Sequence, residues 1–197
     1  MIQFEEIKHK LEDIVKDSPN KKERLDHSIR VMEMALSLNK HYNYGLDEEK
    51  IKIGCIVHDY GKLIDPSELK DVVKNHPLSR NDSVLHSKEI HHALFIPKFL
   101  TRDFGITDPE ILDAAMFHCT GKDQMSLLTK LVFISDYVEV GRDFANCAEV
   151  REIAFKDFER SIYEALRRTI ECISGCGRVI CDYTLKALDE YKNKLEK

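Results

Sequence analysis

The apolar residues of this 197-residue chain recur at helical spacing almost from end to end. No stretch sustains the one-in-two alternation of β-branched residues that marks a half-buried strand. The five prolines and eight glycines fall mostly between the periodic segments, where they separate helices rather than interrupt them. The pattern predicts helices over about 2–17, 22–42, 47–63, 66–75, 86–103 (kinked near Pro97), 109–117, 124–139, 147–156, 157–174 and 182–195, with 76–84 read as loop. On the second helix Leu25, Ile29, Met32 and Leu36 form the expected apolar stripe. Asp47, Asp65-Pro66 and Asp108-Pro109 have the form of helix starts. There is no repeat, linker or low-complexity tract. The expectation is an all-α bundle, a single domain over 1–197 with its core at about 20–190 and an N-terminal helix at 2–17.

Composition narrows the function classes. Hydrophobic residues make up 43% and charged residues 33%, which excludes an intrinsically disordered chain. The longest central apolar run, Leu131-Val132-Phe133-Ile134, is far too short to span a bilayer. With 30 Lys+Arg against 35 Asp+Glu the net charge is −5, which argues against a protein that coats a nucleic-acid polymer. The first residues have no basic region followed by an apolar stretch, so no secretory leader is expected. The six cysteines at 55, 119, 147, 172, 176 and 181 contain no C-x-x-C pair. They are read as free thiols in a reducing cytoplasm, the late cluster Cys172, Cys176 and Cys181 included.

The nine histidines are organised rather than scattered. His27 lies near the start of the second helix, and His58-Asp59 follow the apolar run Ile53–Val57. His86 is expected to open a helix after Val84-Leu85, and His118 to close one after Ala114–Phe117. Asp136 interrupts a strongly apolar helix, where an unpartnered charge is costly. Each of these comes from a different helix, which suits a site built between facing helices of a bundle. Neighbouring residues on a helix point about 100° apart, so His58 and Asp59 share a site only near a helix end or a local deviation. Mixed imidazole and carboxylate donors suit zinc, manganese or iron, and the lack of a thiolate set disfavours a structural zinc site. His91 and His92 are rivals to His86. With His9, His41 and His76, they are otherwise assigned to solvent or helix ends.

The order of these residues resembles the HD superfamily of metal-dependent phosphohydrolases, whose H…HD…D signature falls on His27, His58, Asp59 and Asp136. The closer resemblance is to its bacterial branch of symmetrical diadenosine tetraphosphate hydrolases. It is carried by Asp26–Val31, His58-Asp59-Tyr60-Gly61-Lys62, Val84-Leu85-His86, Phe117–Lys122, Met125–Leu128, Ser135–Glu139, Gly141-Arg142-Asp143-Phe144 and Glu149-Val150-Arg151. The resemblance implies an HD-domain helical bundle with two transition-metal ions. Iron is the implied metal, and manganese or zinc are also compatible with the donors.

It further implies His27, His58, Asp59, His86, His118 and Asp136 as ligands, with Asp59 bridging. The implied reaction is symmetrical cleavage of a dinucleoside polyphosphate to two ADP by metal-activated water. Asp59 and Lys62 are expected at the chemistry, and Lys62, Lys122, Arg142 and Arg80 on the substrate phosphates, with Arg30 a weaker candidate. Alternatives are an HD phosphohydrolase of a nucleoside monophosphate or guanosine polyphosphate, or a nonenzymatic nucleotide or metal sensor. A homodimer is expected without a sequence feature behind it. The chain departs from the family's usual residues at Cys119 (typically Thr), Lys122 (commonly Arg) and Gly61 (commonly Ala). Cys119 sets a soft, oxidisable group beside His118.

Overall fold

Three aspartates start helices where their sequence context places them. Carboxylate oxygens of Asp47, Asp65 and Asp108 accept the backbone N–H of Glu49, Ser67 and Glu110 at 2.9, 2.8 and 2.9 Å, each satisfying a donor that the first helical turn leaves open. The computed structural model describes residues 2–143 and 147–196, so Phe144 of the Gly141–Phe144 stretch lies outside the described residues. In chain order the helices are α1 (Phe4–Val15), α2 (Pro19–His41), α3 (Glu48–Val57), α4 (Pro66–Asn75), α5 (Asp82–His86) and α6 (His91–Leu94). They continue with α7 (Pro97–Phe104), α8 (Pro109–Phe117), α9 (Leu127–Val138), α10 (Cys147–Ala154), α11 (Phe158–Gly175) and α12 (Asp182–Leu195). Short 3₁₀ turns cover Tyr60–Lys62, Pro77–Arg80 and Lys88–Ile90, and no strand occurs among the described residues. Among the described residues no helix is long and apolar enough to cross a membrane.

Helix α9 is the centre of the bundle. It is buried through Leu128, Leu131, Val132 and Ile134, and it packs against α2, α8, α10 and α11. Helix α1 lays Phe4, Ile7, Leu11 and Val15, one every three to four residues, onto α2 and α3. Each such side chain contributes about 1.5–3 kcal/mol on burial.

On α2 the buried face is Leu25, Ser28, Val31, Ala35 and Leu38. The expected stripe of Ile29, Met32 and Leu36 is only half-buried against the core. The face is turned by about one residue because two polar groups belong to it. Ser28 donates its hydroxyl to Arg24 O, and Asn39 pairs with both backbone groups of Leu46.

The segment after α4 differs most from its sequence pattern. Asn81 Oδ1 accepts the N–H groups of Ser83 and Val84 and so starts a helix inside the expected loop. That helix ends at His86, which therefore closes α5 instead of opening a helix. The expected kinked helix over 86–103 is broken into a 3₁₀ turn, α6 and α7, with Pro97 the first residue of α7 rather than a kink inside a helix. Beneath these pieces Val73, Val84, Leu94, Phe95, Phe117 and Cys181 form a small second core.

Candidate metal centre

Three helices run their C-terminal ends into one place. His58 is the residue that closes α3, His118 closes α8, and Asp136 stands in the last turn of α9. Helix C-termini carry partial negative charge, which favours a cation where they converge. His27 reaches the same point from α2. The His58-Asp59 pair is turned inward by the local deviation that its adjacency requires. His58 is still helical, whereas Asp59 has left the helix at φ −97°, ψ 9° to enter the 3₁₀ turn Tyr60–Lys62.

The backbone fixes which nitrogen of two histidines faces the cluster. His58 Nδ1–H donates to Cys55 O at 2.6 Å, and His118 Nδ1–H donates to Ala115 O at 2.7 Å. A carbonyl can only accept, so Nδ1 carries the proton in both rings and each Nε2 presents its lone pair inward. Burial lowers the His58 pKa to about 4, which keeps that ring neutral. For Asp59 and Asp136 burial acts upward but is outweighed by the surrounding imidazoles and, at Asp136, by Arg142. Both carboxyls are held below their ordinary range.

His27 Nε2 lies 2.9 Å from Asp136 Oδ1, and His58 Nε2 lies 3.8 Å from the same oxygen. Asp59 Oδ1 faces His118 Nε2 and His92 Nε2, each at 3.3 Å. Three sets of donor atoms lie within 4.8 Å of one another: His27, His58 and Asp59; His58, His118 and Asp136; and His92, His118 and Cys119. His58 Nε2 and Asp59 Oδ1 are buried without a hydrogen-bond partner among the described residues. Two unpartnered acceptors ringed by imidazoles and carboxylates fit divalent transition-metal cations better than any proton donor present.

The structure thus brings His27, His58, Asp59, His118 and Asp136 together and leaves His86 out. As the last residue of α5, His86 is exposed, and His92 takes a place in the cluster instead. Gly61 makes this placement geometrically feasible. A Cβ at that position would stand 2.0 Å from His92 O, so only glycine lets α6 approach the HD turn this closely. Glu139, which the sequence did not single out, is buried and accepts hydrogen bonds from Arg30 Nε at 2.8 Å and Gly141 N–H at 2.5 Å. It also faces His27 Nδ1 at 3.2 Å and so orients that ring. Its signal was a carboxylate one helical turn beyond Asp136, at the end of the most apolar helix.

Two cavities flank the cluster, and Lys62 and Arg142 border both. The first, of about 480 Å³, adds Arg24, Arg30, His27 and Asp59. The second, of about 620 Å³, adds His118, Cys119, Asp136 and an apolar wall of Phe133, Tyr137 and Ile173, with Arg168 at its side. Lys62 Nζ donates to Asp59 Oδ2 at 2.8 Å, and Arg142 Nη2 to Asp136 Oδ1 at 2.5 Å. Lys122 and Arg80 border neither cavity. Lys122 donates to Asp113 and lies over the Phe117 ring, beyond the turn made by Gly121 at positive φ. Arg80 is exposed at the end of its 3₁₀ turn.

The family model for the HD domain matches residues 24–141, the span from just before His27 to just after Asp136. The chain belongs to the HD domain family. The matched HD segment holds every residue of the cluster, and a solved relative resembles nearly the whole chain. That relative is a predicted HD superfamily hydrolase involved in NAD metabolism from Clostridium acetobutylicum. Its TM-score is 0.84 at 29% identity, covering 94% of this chain and 97% of that one. Among similar curated proteins, a symmetrical bis(5'-nucleosyl)-tetraphosphatase from Halalkalibacterium halodurans is 36% identical over 167 residues, 85% of this chain and 88% of its own. One of the same name from Staphylococcus aureus is 31% identical over 170 residues, covering 85% and 86%.

Proposed function

We propose that this HD protein is a cytoplasmic, metal-dependent hydrolase that cleaves diadenosine tetraphosphate symmetrically into two ADP. It would do so within one HD domain formed by residues 1–197. One observation carries the reading: a buried donor cluster sits between two cavities that share Lys62 and Arg142. A molecule with two like halves and a reactive centre matches a site with two lobes and one cluster at their junction. The names of the relatives support the same substrate class.

His27, His58, Asp59, Asp136, His92 and His118 would hold two cations, with Asp59 between the sets and iron, manganese or zinc all compatible with the donors. When bound, such cations supply a water nucleophile at neutral pH and offset charge on the phosphates. Lys62 and Arg142 hold the central phosphates from both sides, and Arg24 and Arg30 extend that cationic wall in the first lobe. A substrate bearing about four negative charges is bound there despite the chain's acidic balance, because local charge rather than net charge decides. The apolar wall of Phe133, Tyr137 and Ile173 receives one adenosine. In the reaction a new P–O bond forms from water to one central phosphorus and the central bridging P–O bond breaks, so the second ADP leaves. Product analysis on metal-loaded protein tests the reading. Two ADP per substrate is expected, and ATP plus AMP, or no turnover, overturns it.

A further inference from the structure

The cluster has a sulfur at its edge that the HD residues do not account for. Cys119 follows His118 directly where the chain leaves α8, and it borders the second cavity. Its Sγ lies 3.1 Å from His118 Nε2 and 3.5 Å from His92 Nε2. All three donor atoms fall within 4.8 Å of one another. We propose that Cys119 is a thiolate ligand to the cation held by His92 and His118, which makes this half of the centre a mixed nitrogen, oxygen and sulfur site. The inference rests on the metal-centre reading above and concerns which donors complete it.

The separations match shared coordination. With metal–nitrogen bonds of about 2.05 Å and metal–sulfur bonds of about 2.3 Å, the N···S edge is about 3.1 Å at a right angle and about 3.6 Å at the tetrahedral angle. Both observed edges lie within that interval. The oxygen donor on this side is Asp59 Oδ1, at 3.3 Å from each imidazole nitrogen. Adjacent residues reach one ion here by the same device as His58 and Asp59. A helix ends at the first of the pair, and the chain then turns, with Gly121 N–H donating to Phe117 O at 2.8 Å. A thiolate shifts preference toward softer cations, so this half of the centre should favour zinc or cobalt over manganese.

Cobalt(II) reads the bond directly. Full-length protein stripped with chelator and reloaded with cobalt is expected to show a sulfur-to-cobalt charge-transfer band in the near ultraviolet besides the visible ligand-field bands. Cys119→Thr should keep the ligand-field bands and lose the charge-transfer band, and its preference for zinc over manganese should fall about tenfold or more. Cys172→Ser, at an exposed helix position bordering the same cavity, should retain the band. X-ray absorption on the zinc-loaded wild type, which needs no variant, should show one sulfur at about 2.3 Å. Ligand-field bands without charge transfer, a band that survives Cys119→Thr, or a zinc shell of nitrogen and oxygen alone would overturn the proposal while leaving the metal centre standing. Failure to bind any cation would remove both.

Discussion

His92 Nε2 stands 3.3 Å from Asp59 Oδ1, although Asp59 precedes the 3₁₀ turn Tyr60–Lys62 and His92 lies on the separate helix α6. The contact sets His92, rather than the expected His86, beside the HD aspartate. His92→Ala should remove the cation on that side of Asp59 and lower diadenosine tetraphosphate turnover on the order of 100-fold, since even outer-shell changes cost 10–100-fold. His86→Ala should leave both unaltered. Elemental analysis alongside kinetics decides, and the reverse ranking would return the ligand role to His86.

Gly61→Ala places a methyl group into His92 O. The backbone of α6 must retreat, at a cost of about 1–3 kcal/mol for overpacking. Urea unfolding should show that loss, and cation titration should show one weakened site rather than two. An alanine variant as stable and as fully loaded as wild type would mean that the close approach is dispensable.

Glu139→Gln keeps the volume of the buried side chain but removes the charge that faces His27 and pairs with Arg30. A carboxylate behind a ligating imidazole strengthens and orients it, so cation affinity should drop by about 10–100-fold in chelator competition. Affinity equal to wild type would show that the tight turn at Gly141 positions His27 without Glu139.

Asp108 ties the start of α8 to α3 through Lys50 Nζ at 2.9 Å. Burial acts upward on its carboxyl but is outweighed by Lys50 and the Glu110 N–H, so it is held below its ordinary value of 3.8. A depressed acid contributes stability that is complete above pH 3.8 and is lost as pH falls through the lower folded value. Asparagine caps helices nearly as well as aspartate, so Asp108→Asn isolates the charge. The urea-midpoint gap between wild type and variant should be full at neutral pH and close in acid. A gap independent of pH would assign the effect to packing.

The helices that carry His27, His58, His118 and Asp136 were legible because they are long or sharply capped, as at Asp47 and Asp108. The stretch from 81 to 97 was not, because pieces of four or five residues are too short to display a 3.6-residue period. The family resemblance puts a ligand at His86 because it follows the apolar pair Val84-Leu85, and such a pair does not show which way a short helix turns the histidine after it. With Asn81 as the cap, the histidine that faces inward shifts to α6. Lys122 and Arg80 illustrate a second limit. A basic residue close to a ligand in sequence carries no information about which way its turn directs it, and Asp113 captured one of them. Glu139 escaped notice because a glutamate at a helix end looks solvated until the fold closes over it.

The hydrogen bonds from His58 and His118 to the carbonyls of Cys55 and Ala115 have a hereditary consequence. Every amino acid supplies the same acceptor, so no point mutation at residue 55 or 115 can delete it. The ring tautomers are protected from drift as long as two helices end where they do. The imidazoles themselves, and the turns after them, are where variation can retune the centre.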